Sequence, residues 1–152
     1  MKKIVSYMMT GILLLSFLLT GCGSPEPQTG KKMSMYYINT AETKVEVHEQ
    51  YLNTKTLDEQ LDETMRYLST TPEKLEYKAP LDMGFRVLDY EVEDGKLLIN
   101  VDKAYSELSP TTEVLVRAAI VRTLTQLPNV KYVGITVEDS QLYDNAGEMV
   151  AG

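Results

Sequence analysis

The apolar positions of this chain change their spacing several times, and each change marks an element. Residues 4–19 form an almost unbroken apolar run behind Lys2 and Lys3. Past Met33 the pattern becomes periodic. Residues 34–40 (SMYYINT) are rich in β-formers and residues 45–52 (VEVHEQYL) open by alternating apolar with polar, so both are predicted strands, paired through the turn at 41–44. Thr56 or Asp58 then caps a predicted helix in which Leu57, Leu61, Met65 and Leu68 recur at three- and four-residue steps. Asp58, Glu59, Asp62, Glu63 and Arg66 occupy its other face, as expected of a surface helix with one buried stripe.

Loops follow around Thr71-Pro72 and around Ala79-Pro80 leading to Gly84. Residues 85–92 and 96–102 are apolar-rich and flank Asp94-Gly95, two residues that tolerate positive φ, so this is the strongest hairpin signal in the chain. Ser109 or Thr112 caps a second helix running to about Gln126, with Glu113 in the first turn where the helix dipole favours an acid. Val114, Leu115, Val116, Ala118, Ala119, Ile120, Val121, Leu124 and Leu127 wrap most of its circumference, which predicts the core helix. Pro128 follows, and residues 130–137 (VKYVGITV) make a last long strand. The tail, 138–152, reads either as a ragged edge hairpin or as a loose end.

The resulting order is helix, strand, strand, helix, strand, preceded by two short strands, and it predicts an α+β sandwich with helices on one sheet face. The organisation is a leader at 1–21, a Gly-, Pro-, Ser- and Lys-containing tether at 22–33, and one domain at 34–152. The leader closes as Leu19-Thr20-Gly21-Cys22, and Cys22 is the only cysteine. A basic start, an apolar stretch and a small residue before a cysteine predict a lipoprotein signal: the thiolate takes a diacylglycerol, cleavage falls before Cys22, and an acyl (palmitate-type) anchor remains. An uncleaved membrane helix competes poorly, since the run is at or below the roughly 17 residues a span needs.

Charge agrees with a covalent anchor. The formal net charge of −7 becomes −9 once Lys2 and Lys3 leave with the leader. A domain so acidic is repelled by anionic headgroups and by nucleic acid, so no nucleic-acid partner is expected and lipid must hold it at the membrane. Catalytic sets are sparse. His48 is the only histidine and sits in an alternating strand among Glu46, Glu49 and Gln50; there is no Gly-x-Ser-x-Gly elbow. One histidine and one lipidated cysteine cannot build a zinc shell, and the acids Glu91, Glu93 and Asp94 lie at a hairpin tip, so no metal or other cofactor is expected. Tyrosines are the more suggestive feature. Tyr36, Tyr37, Tyr51, Tyr90 and Tyr132 fall in predicted strands, where they either edge the core or form a wet contact face on the uncovered side of the sheet. Tyr90 and Tyr132 are the leading pair for such a face.

Residues 84–102 (GFRVLDYEVEDGKLLINVD) and 118–135 (AAIVRTLTQLPNVKYVGI) resemble the GerMN, or germane, domain of sporulation and spore germination lipoproteins. The stretch from Ala119-Ile120 through Thr123-Leu124-Thr125 to Pro128 and Val133 is the most specific part, and the likeness runs from about 35 to 147. The resemblance implies a fold similar to the ring-building motifs of secretion and sporulation complexes, a place in the envelope of spore-forming Gram-positive bacteria, and a non-enzymatic assembly role between two membranes. It brings no catalytic residues. Its namesake carries two such domains where this chain has one, relatives commonly continue past the position of Gly147, and the domain also occurs outside sporulation.

Two functions are therefore expected to compete. The first is a lipid-anchored module on the extracytoplasmic face of the cell membrane, held there through Cys22, that contacts other envelope proteins. The second is a glycan- or small-solute-binding lipoprotein using the face of Tyr90 and Tyr132. A hydrolase built from carboxylates alone is the remaining option.

Overall fold

The computed structural model describes residues 30–71 and 76–141. Strands β1 (Lys31–Asn39) and β2 (Val45–Leu52) form an antiparallel hairpin in which Lys31 faces Leu52 and Ile38 faces Val45. A two-residue strand, β3 (Tyr77–Lys78), pairs with the end of β1 and completes a small sheet of order β2-β1-β3. The second sheet has the order β4 (Val87–Glu93), β5 (Lys96–Val101), β6 (Tyr132–Val137), β7 (Ser140–Gln141). Its β5 and β6 are parallel, so the chain must cross over between them, and it does so through a short 3-10 helix (Lys103–Glu107) and helix α2 (Pro110–Leu124). Helix α1 (Leu57–Leu68) precedes this sheet. The order α1-β4-β5-α2-β6 is the helix-strand-strand-helix-strand expected from the sequence.

Local chemistry explains the boundaries. Thr56 caps α1 in a capping box: its hydroxyl accepts the Glu59 N–H at 3.4 Å, and the Glu59 carboxylate accepts the Thr56 N–H at 3.2 Å. Ser109 caps α2 by accepting the Thr112 N–H at 3.1 Å, with Pro110 entering the first turn. The β4–β5 reversal holds Asp94 at φ 50° and Gly95 at φ 85°, the two positive values a tight hairpin needs.

β2 occupies the expected residues, 45–52, while β1 runs longer than expected, so the two leading strands are not short. They span nine and eight residues and belong to a sheet of their own. β1 also begins at Lys31, so residues 31–33 leave the expected tether: Met33 is only 2% exposed and opens the inward alternation Met33, Met35, Tyr37. The composition of the preceding segment hid that start. Glu63, expected on the solvent face of α1, is buried. Its Oε2 accepts from the N–H groups of Asn53 (3.0 Å) and Thr54 (3.3 Å) and from the Thr54 hydroxyl (2.8 Å), which fastens the β2–α1 connection. β3, β7 and the 3-10 helix carry too few residues to show a period.

Helix α2 unites the two sheets. Val116, Ala119, Ile120 and Leu124 are fully buried, while Leu97, Ile99 and Val101 of β5 and Val133 of β6 supply the facing apolar layer. Its polar residues do something a period cannot reveal. Thr123 Oγ1 accepts the Tyr36 N–H at 3.0 Å, and the Gln126 side chain accepts the Ser34 N–H at 3.0 Å and donates to the Ser34 carbonyl at 2.7 Å. The helix thus takes the place of a neighbouring strand along Ser34 to Tyr36, satisfying an edge that would otherwise be left open.

Candidate interaction surface

Strand register decides which side chains share a face. On β5, Leu97, Ile99 and Val101 point into the core; their partners Val92, Tyr90 and Val87 on β4 and Val133, Ile135 and Val137 on β6 lie on the same side. Tyr90 therefore belongs to the covered face. Its hydroxyl donates to Asp62 Oδ1 of α1 at 2.8 Å, and burial, with the neighbouring Asp62 charge adding to it, pushes its pKa up to about 12. Tyr132 is paired with Lys96, one position out of phase, and stands 67% exposed on the opposite face.

The expected pair is thus separated. Tyr90 and Tyr132 do not share a surface, because the strand offset that decides it arises from the β5–β6 pairing rather than from either strand alone. The other tyrosines divide as well. Tyr37 is buried; Tyr36 lies half-buried on the opposite side of β1, with the Arg122 guanidinium 5.3 Å from its ring centre. Tyr51, across from Lys32, is half-buried on the Tyr36 side of the first sheet.

The open face of the second sheet carries Glu91 and Glu93 from β4, Lys96, Leu98 and Asn100 from β5, and Tyr132, Gly134 and Thr136 from β6. Leu98 lies across Gly134, where an added Cβ would come within 2.9 Å of its Cδ2. At the far end, Asn100 is 6% exposed. Its amide donates to Asp89 at 3.0 Å and Asp139 at 2.8 Å, and its oxygen accepts the Asp139 N–H at 3.0 Å. This network holds a turn in which Glu138 and Asp139 both have positive φ, 49° and 62°. The surface therefore combines one rigid polar corner with an apolar and aromatic patch at Leu98 and Tyr132.

Among the described residues the groups that converge on this face are the carboxylates of Asp89 and Asp139, both engaged by the Asn100 amide. His48 is in the other sheet, between the rings of Tyr37 (6.3 Å) and Tyr77 (5.5 Å). Among the described residues no three His, Cys, Asp or Glu side chains gather in a way that could hold a metal ion. Leu19, Thr20, Gly21 and Cys22, like the rest of the leader, most of the tether, and the tail from 142, lie outside the described residues. No helix among the described residues is long and apolar enough to cross a membrane.

Sequence reasoning missed Thr123 and Gln126, which govern how β1 is held. The available signal was a pair of side-chain hydrogen-bonding groups at the end of the core helix, Thr123 in its last turn and Gln126 just past it.

The architecture defines a small α+β domain: a helix-strand-strand-helix-strand unit with an added N-terminal hairpin. The chain belongs to the Germane family, described as sporulation and spore germination, whose model matches residues 34–143. Its fold is similar to the first GerMN domain of the sporulation protein GerM from Bacillus subtilis, with a TM-score of 0.58 at 14% identity over 80% of this chain and 93% of that one. It is also similar to the tandem GerMN domains of the same protein, with a TM-score of 0.55 at 19% identity over 88% of this chain. The match covers 48% of that tandem chain, about half its length. No curated protein matches.

Proposed function

We propose that this protein is a lipoprotein anchored through Cys22 to the extracytoplasmic face of the cell membrane, where its domain serves as a non-enzymatic assembly module in sporulation or spore germination. The observation that carries the assembly role is the open face of the second sheet, where Tyr132 stands 67% exposed beside Leu98 and Lys96 while the opposite face is packed with helices. A broad ring with a polar tip next to an aliphatic side chain suits a protein contact. The tether fits as well. β1 begins nine residues after Cys22, a span of at most roughly 30 Å, so the domain is kept close to the bilayer.

The glycan- or solute-binding alternative draws no support from Tyr90 and Tyr132, whose side chains the strand register sets on opposite faces.

Two measurements test the proposal. Labelled palmitate is expected to enter the wild-type chain and not Cys22→Ser, and the substituted chain is expected to leave the membrane fraction. A photo-crosslinking residue at Tyr132 is expected to capture envelope proteins during sporulation, whereas one at Tyr90 is not. Equal capture at both positions, or an anchor that survives Cys22→Ser, contradicts it.

A further inference from the structure

Each edge of the two sheets is treated differently. Ser34 and Tyr36 turn their backbone groups toward α2, so the alternate residues of β1 bond to β2: Met33 with Gln50, Met35 with His48, Tyr37 with Glu46. It follows that Val45, Val47, Glu49 and Tyr51 direct their N–H and C=O groups outward from β2. Among the described residues nothing bonds to them. β4, the edge of the other sheet, is guarded in two ways. A register shift interrupts it between Val87 and Asp89, and Asp89, Glu91 and Glu93 share one face, so antiparallel self-pairing centred on the strand at Tyr90 sets acid against acid. β3 is only two residues long. β2 has none of these protections: it is eight residues long, without proline, glycine or bulge, and Val47 stands 56% exposed at its middle.

We infer that the outer edge of β2 pairs with the same edge of a second copy of this chain, antiparallel about a two-fold axis at His48. The charges favour this occupant. Both acids of β2 are already matched within their own chain, Glu49 by Lys32 at 2.7 Å and Glu46 by Lys44 at 2.5 Å. In the register centred on His48, Val47 faces Glu49 of the other copy, Val45 faces Tyr51, Glu46 faces Gln50, and no carboxylate opposes another. Moving the axis to Glu49 sets two carboxylates face to face, and moving it to Val47 shortens the ladder. The four outward residues all find partners in the His48 register, turning two three-stranded sheets into one of six. The pairing uses the first sheet alone and leaves the Tyr132 face free, so it does not depend on the function proposed above.

The test is disulfide trapping in the full chain on its own membranes. Facing His48 residues form a non-hydrogen-bonded pair, with Cα atoms about 4.5 Å apart, within disulfide range. On mild oxidation His48→Cys is expected to give a reducible band at twice the monomer mass, several-fold stronger than in wild type, whose only cysteine is Cys22, or in Leu88→Cys on β4. Adding Val47→Pro, which removes an outward donor at an edge where proline is tolerated, or Val47→Lys is expected to abolish the band. A His48→Cys band no stronger than that of Leu88→Cys overturns the inference. So does an adduct at any mass other than twice the monomer, which would mean that another protein's strand occupies the edge.

Discussion

The two long hairpins are built on different terms. β4–β5 lies in a conventional sheet: β5 is flanked by a strand on each side, buries Leu97, Ile99 and Val101, and leaves the acids of β4 to guard the rim. β1–β2 is paired on one side only for most of its length, and β1 completes its hydrogen bonding through Thr123 of α2 and Gln126 just past the end of that helix. Both sheets bury apolar side chains in the common core, Met33, Met35, Tyr37 and Ile38 from β1 as fully as Leu97, Ile99 and Val101 from β5, but the first sheet adds directional bonds from its backbone at Ser34 and Tyr36 to Thr123 and Gln126. A backbone donor left without its acceptor bears the full desolvation cost of that group, on top of whatever area is lost.

The largest effect should come from the residue both halves share. Ile120→Ala removes a fully buried side chain from the helix joining the two sheets, and large-to-small changes of this kind cost about 2–5 kcal/mol. Urea unfolding is expected to show that loss as one cooperative shift. A biphasic transition, with only one sheet released, would mean the sheets do not share a core.

Next in size are the directional bonds. Thr123→Val leaves the Tyr36 N–H without its acceptor, and Gln126→Ala strands both polar groups of Ser34; each is expected to cost about 1–3 kcal/mol. Hydrogen exchange sharpens the point, because the Ser34 and Tyr36 amides should be protected in wild type and lose protection in these variants. Glu91→Gln on the rim of β4, where only an exposed charge changes, should leave stability within about 0.5 kcal/mol. Equal losses in the two hairpins would erase the distinction.

The same contrast explains what could be read from the sequence. The β4–β5 hairpin, both helices and their order were legible because period, caps and turn residues are local properties: Thr56, Ser109 and Asp94-Gly95 act within a few residues of themselves. What escaped depends on pairing between distant segments. Met33 looked like tether because its burial comes from packing across the fold, including contact with the Thr64 hydroxyl 31 positions away. Tyr90 and Tyr132 looked like neighbours because each lies in a strand, yet the β4–β5–β6 offset assigns them opposite faces. Glu63 looked solvated because its partners, Asn53 and Thr54, belong to the preceding loop.

The hairpin turns extend the comparison at smaller magnitude. Gly95→Ala places a Cβ at φ 85° and 3.3 Å from the Lys131 side chain, and a left-handed residue other than glycine costs roughly 1–2 kcal/mol. The β1–β2 turn meets a similar demand without glycine, holding Glu42 at φ 52°. Its side chain supplies the compensation, since Glu42 accepts from Lys78 at 2.5 Å and from the Thr112 hydroxyl at 2.8 Å near the start of α2.

That compensation should be visible as a pH dependence, the smallest effect of the series. The Lys78 ammonium first, and then the Thr112 hydroxyl, hold the Glu42 carboxyl below its ordinary pKa. A depressed carboxylate stabilises the fold fully above the ordinary glutamate range, and the contribution is lost as pH falls through the lower, folded value, because the unfolded chain takes up the proton first. Wild type should therefore exceed Glu42→Gln in urea midpoint at pH 7, with the gap closing as the solution is made acidic through the carboxylate range. A gap independent of pH would mean that Glu42 fixes the turn by its shape, and that the first hairpin, like the second, needs no charge to stay in place.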